Sequence, residues 1–214
     1  ETRVEEALRA EGFEILGKYN PAKFATQRLV CVTHPALREA VDRVGDHSFF
    51  ALGFRIGLHE IDGGVLVSSQ NPLYWGNAYF QKKIKRVKGE YRRLDEALKK
   101  AMAAVVPDAP TGFGHRKGLK EDKLRKYHYM VFMPYLKDAV TLARGEDYSP
   151  EETVRTIERN LAAGVAGGLK VYRIDSARHG ATLLGVGLHD DATGEPHFLP
   201  VIDIAEKKHV PFLP

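Results

Sequence analysis

Cysteine is nearly absent from this sequence of 214 residues; Cys31 is the only one. A lone thiol excludes an internal disulfide framework, a zinc site made of several cysteines, and the paired thiols of c-type haem attachment. It leaves both cytoplasm and periplasm open. Flanked by Leu29, Val30 and Val32, Cys31 reads as core packing on a strand rather than as a nucleophile. Long apolar runs are also missing. None approaches the ~20 residues of a membrane-spanning helix, and no secretory signal is visible. The chain begins with Glu1 rather than Met, the pattern expected of a mature or excised form. Motifs of strong chemical meaning are missing as well. There is no His-Glu-x-x-His, no acidic calcium loop, no Gly-Lys-Ser/Thr, and no nucleophile elbow around Ser68, Ser69 or Ser149.

What is present suits a soluble globular protein of α+β class: 43% hydrophobic and 28% charged residues, with a net charge of +4. The charge is unevenly placed. Residues 1–80 hold 8 Lys/Arg against 10 Asp/Glu, residues 81–130 hold 15 against 6, and residues 131–214 hold 9 against 12. The basic character therefore belongs to one segment, which reads either as a solvated helix face or as a surface for phosphate, an acidic partner or a membrane.

Along the chain, Val4, Ala7 and Leu8 predict an amphipathic helix over 2–11, ended by Gly12. Phe13–Tyr19 alternates as a half-buried strand, and Leu29–Val32 is a short apolar one. Pro35 at a first helical position opens a helix with Leu37, Ala40, Val41 and Val44 inward. Phe49–Ile61 reads as a long strand, turned by Asp62-Gly63-Gly64 into Val65–Ser69. Tyr74, Trp75, Tyr79 and Phe80 form an aromatic cluster entering one long helix. Its apolar stripe is Ile84, Val87, Tyr91, Leu94, Leu98, Met102 and Val105. Pro107–Pro110 breaks the chain. Ser149-Pro150-Glu151-Glu152 is a complete helix start, with Val154, Ile157 and Leu161 expected inward. Leu169–Ile174 and Thr182–Leu188 read as strands turned near Arg178-His179-Gly180, followed by the polar turn Asp190–Pro196.

The stretch Thr111–Tyr135 is the expected joint of the molecule. Gly112, Gly114 and Gly118 surround His115, Arg116 and Lys117, and Lys120 stands before a helix start. Glycines let backbone N–H groups approach an anion, so Gly114, His115, Arg116, Lys117, Lys120 and His128 are the candidate residues for an anionic ligand. The other reading is a structural interdomain loop, in which Glu121 and Asp122 already compensate the helix end. His128 with Met130 and Met133 offers a haem or copper reading, weakened because residues two apart on a helix diverge. The rest of the chain divides as 1–107, a first repeat with its basic helix; 108–148, a central linker segment; and 149–214, a second, partial repeat. Val4–Ala10, a glycine and a strand are echoed by Ile157–Ala163, glycine and a strand.

The stretches ALRAEGFEI (7–15), LVCVTHPALREAV (29–41), FRIGLHEIDGGVLVSSQNP (54–72), FGHRKGLKEDKLRKYHYM (113–130) and GLKVYRID (168–175) carry a family resemblance. The chain resembles the bacterial and archaeal proteins known as domain of unknown function 302, in tandem-repeat form. The resemblance implies two repeats of a β-α-β(4)-α-like module, export to the periplasm or outside the cell, and no catalytic residues. Against that pattern the first strand and the final hairpin of the second repeat are missing. The expected function is an exported binding or assembly protein with no catalysis and no cofactor of its own. Its expected partners are another protein, a second copy of itself or a small anion. No nucleic acid and no membrane span are expected. The alternative is a redox accessory protein or enzyme using His128 and the basic glycine loop.

Overall fold

The computed structural model describes residues 1–108, 110–112, 120–125 and 149–206. It is a mixed α+β protein with antiparallel strand pairing. Two compact units interleave along the chain. The first takes Glu1–Ile15, Val32–Phe54 and Gln70–Val140; the second takes Leu16–Cys31, Arg55–Ser69 and Thr141–Pro214.

The first unit is helical. Its elements are α1 (Thr2–Ala10), α2 (Pro35–Val44), α3 (Pro72–Phe80), α4 (Lys88–Ala103) and the single turn α5 (Glu121–Leu124). Helix α2 starts where Pro35 was read to start it, and His34 caps it by accepting the Ala36 N–H at 3.1 Å. Helix α4 packs against α1, α2 and α3. Its inner face buries Tyr91, Leu94, Leu98 and Ala101. Gly76 lets the Tyr91 ring lie on α3: a methyl there would sit 2.6 Å from the ring. Phe80 meets the same ring edge-on at 5.3 Å.

Two expectations need correction in this unit. Phe49–Leu52 is not strand; a tight 3-10 segment spans Asp46–Leu52, and the strand begins at Phe54. The aromatic cluster does not enter one long helix. Gln81 takes φ 50°, which ends α3, and a 3-10 segment Gln81–Arg86 leads into α4. Apolar residues at 84, 87 and 91 suit either helix type, so spacing alone could not reveal the break.

The second unit holds most of a four-stranded sheet in the order β1 (Glu14–Tyr19), β2 (Gln27–Thr33), β3 (Phe54–Ile61), β4 (Gly64–Ser69). It also holds a separate hairpin, β5 (Gly168–Ser176) with β6 (Ala181–Leu188). The Asp62-Gly63 turn pairs Ile61 with Gly64, as read, and Gly63 supplies φ 88°. Val171 and Tyr172 of β5 pack against Tyr19, Leu29 and Cys31 of the larger sheet. Val171 lies at a register shift in β5 and is pressed against Gly17 of β1. The turn after β6 is fastened to the loop after β1. Glu195 accepts the Tyr19 hydroxyl at 2.9 Å and the Ala22 N–H at 3.0 Å, and the His189 imidazole meets the Asn20 carbonyl at 3.0 Å.

Helix α6 (Pro150–Ala162) begins with the capping box its sequence announces: Ser149 Oγ accepts the Glu152 N–H, and Glu152 reaches back to the Ser149 N–H. It packs on β5. Its apolar residues do not turn inward as expected. Ile157 is 42% exposed, and Val154 and Leu161 are half-buried. A two-stranded sheet is too narrow to cover a helix face. The chain after the polar turn is also helical: α7 (Glu195–Glu206) carries Pro200 inside it.

Cys31 is 2% exposed and unbonded, and burial pushes its thiol up to about 11. Native protein at neutral pH should therefore react slowly with a thiol reagent, with labelling accelerated by denaturant. Replacing Gly17 by alanine places a methyl 2.0 Å from the Val171 carbonyl oxygen, whereas Gly64 has nothing within 4 Å. Gly17→Ala should cost about 1–3 kcal/mol of stability in a denaturant titration, and Gly64→Ala should cost far less.

Candidate functional site

Of the candidate anion-binding residues, only Lys120 falls among those described, while Gly112 ahead of them is also described and exposed. Lys120 is exposed, and its carbonyl accepts the N–H groups of Lys123 and Leu124 at 2.9 and 3.0 Å. Helix α5 has four residues, too short for an anion site of its own. Gly114, His115, Arg116, Lys117 and His128 lie outside the described residues. So do the rest of the expected joint, 126–135, and the remainder of the expected linker segment to 148.

The basic segment is well placed by contrast, and its geometry follows from its 3-10 form. Three residues per turn put every third side chain in one column. Ile84 and Val87 form the buried column. Lys82, Lys85 and Lys88 form a second column and Lys83 and Arg86 a third, and all five are exposed. Helix α4 continues the ridge with exposed Arg92 and Arg93. One acidic residue, Glu90, lies between 81 and 93. It is buried, and its carboxylate meets Arg43 at 3.1 Å, so it does not neutralise the ridge. Arg93 is bound to Glu39. Among the described residues no carboxylate pairs with Lys82, Lys85, Arg86 or Lys88. Just before the ridge Tyr79 meets Trp75 edge-on at 4.7 Å and reaches the exposed Phe50 at 6.3 Å.

The perturbed groups elsewhere have structural causes. Burial raises the Tyr91 phenol well above its usual range, and burial with the nearby Glu195 carboxylate does the same for Tyr19. His34 is depressed below its ordinary value, chiefly by burial. Its Nδ1 accepts the helix-capping N–H, so Nε2 carries the hydrogen that faces the Glu11 carbonyl at 3.2 Å. Among the described residues no group of three or more His, Cys, Asp or Glu is arranged to hold a metal ion. No helix among them is long and apolar enough to cross a membrane. Set against models of known protein families and against curated proteins, the chain matches none.

The cap at His34 is lost when its ring gains a second proton. A histidine whose folded value is depressed contributes stability that is complete above its unfolded value, near 6.5. That contribution falls as pH drops through 6.5 toward the folded value. Between pH 7 and pH 5 the protein should lose more stability than His34→Asn, which can still cap α2 but does not titrate. Equal pH dependence of the two melting temperatures would assign the titration to other groups.

Proposed function

We propose that the protein is a binding or assembly protein without catalysis of its own, and that it docks an acidic protein partner on the ridge from Lys82 to Arg93. The observation that carries this reading is the ridge itself. Its cations stand exposed in columns, fixed by the burial of Ile84 and Val87, and the local carboxylate is turned inward to Arg43. A surface with one sign of charge raises the local concentration of opposite charge and speeds association. Phe50 and Tyr79 beside it give an apolar contact once charge has brought the partner close. The reading agrees with the expected export and tandem-repeat family type, which rest on the sequence resemblance.

Polyglutamate serves as a defined acidic polypeptide for the test. Binding should weaken steeply between 0.1 and 1 M salt, as the Debye length shrinks from ~10 to ~3 Å. Lys82→Glu with Lys85→Glu and Arg86→Glu should abolish binding at low salt and leave the melting temperature nearly unchanged, since all three side chains are exposed. Binding that ignores salt, or that survives the triple charge reversal, would overturn the assignment.

A further inference from the structure

The second unit contains a pocket that no charged ridge and no sequence motif announces. Glu60 N–H donates to the Thr26 carbonyl at 2.8 Å, which sets the end of β3 against the start of β2. That antiparallel register places Gln27 opposite His59 and Leu29 opposite Gly57. On the other side of β3, Gly57 is paired with Ser68. Side chains alternate along a strand, so Gln27, His59, Gly57 and Ser68 share one face of the sheet. Gly57 contributes no side chain there. The resulting gap measures about 190 Å³, counting its open mouth, and is lined by Pro21, Gln27, Arg28, Gly57, Leu58, His59 and Ser68.

Polar groups in this lining are unspent. Gln27 Oε1 and His59 Nδ1 are both out of contact with solvent and have no hydrogen-bond partner. Ser68 is only 6% exposed, and its hydroxyl reaches the Gly57 carbonyl at 3.5 Å, the limit of a hydrogen bond. Buried polar atoms are ordinarily paired, and two unpaired ones beside a weakly bonded hydroxyl on one small gap stand out against that rule. The loop that brings Pro21 to the rim is strained. Ala22 and Lys23 have φ of 51° and 63°, a left-handed conformation that side chains other than glycine disfavour. Glu195 holds it through the Ala22 N–H, and Asp191 through Lys23 at 2.9 Å. Strain maintained by its surroundings concentrates at ligand sites.

We propose that this pocket binds one hydroxyl group of a small neutral polyol or sugar. Gln27 Oε1 can only accept, so the ligand must bring a donor; carboxylates and fully ionised phosphates bring none. Ser68 can donate or accept, and so can His59 Nδ1 according to its tautomer. A hydroxyl meets all three at once. The enclosed part of the gap has room for about one water-sized group, so a single hydroxyl enters and the rest of the ligand lies outside it. This site is independent of the basic ridge.

Water offers the same hydrogen bonds, so the test must separate the two. Glycerol and its trimethyl ether share a carbon skeleton, but the ether has no donor. Titrating the intact protein while following the His59 imidazole by NMR, glycerol should shift the signal saturably and the ether should act about tenfold or more weakly. Gln27→Leu should weaken glycerol binding by a similar factor and leave the melting temperature unchanged or raised, because the atom removed has no partner. If that variant does not fold, Ser68→Ala carries the same expectation for binding. No saturable response would mean that water alone fills the gap. That result, an equal response to glycerol and its ether, or undiminished binding by the variant that folds would overturn the proposal.

Discussion

The burial of one apolar column, Ile84, Val87 and then Tyr91, determines what the helical unit presents to its surroundings. Once Tyr91 is seated on Gly76 and against Phe80, α4 has a fixed rotation about its axis. The segment before it must then place residues 84 and 87 on the same side, and the 3-10 form does so with three residues per turn. Positions 82, 83, 85 and 86 point outward by consequence, and all four are lysine or arginine. Charge did not select that geometry. The core selected it, and the cations occupy what the core left over. Glu90 shows the same logic from inside: one position before Tyr91 it is drawn into the core, and Arg43 meets it there.

The second unit is constrained by close approach. Gly17 lets the irregular residue of β5 come against β1, and Gly187 faces the Tyr19 ring at a distance a methyl would barely tolerate. These contacts settle how the β5–β6 strands are covered. They form their own sheet among the described residues and lay one face on the larger sheet instead of extending its edge. Glu195 then ties the turn after β6 to the loop after β1. Removing the Glu195 carboxylate would leave the Tyr19 hydroxyl and the Ala22 N–H without their acceptor. The left-handed pair Ala22 and Lys23 would lose its brace at the same moment.

Much of this was legible in the sequence where a residue acts on its own neighbours. Pro35, the Asp62-Gly63 turn and the helix start at Ser149-Pro150 each act within four residues, and each forms where the sequence places it. The misreadings share a different cause. Gln81 ends α3 in a conformation that only packing can impose, so no local signal marks the break. Ile157 belongs to a regular apolar stripe, but a stripe states only that a face could be buried. Whether anything wide enough covers it depends on distant strands. The pocket was invisible for the same reason. Gln27, His59 and Ser68 come from three strands, and the gap between them exists because Gly57 has no side chain.

The distribution of ion pairs distinguishes two basic surfaces among the described residues. In the second unit Lys170 and Arg173 also project from an exposed surface, yet both end on Glu158, and Arg173 meets Asp175 as well. The Lys170 ammonium, chief among these partners, holds the Glu158 carboxyl below its usual range, and Arg173 does the same for Asp175. Those cations serve α6, which has no buried residue of its own and relies on its cap and on such pairs to lie on β5. An outside anion would have to displace an existing carboxylate there. Among the described residues no carboxylate competes for Lys82, Lys85, Arg86 or Lys88. Among the described residues, Lys82, Lys85, Arg86 and Lys88 of the helical unit therefore present uncommitted positive charge, whereas Lys170 and Arg173 do not.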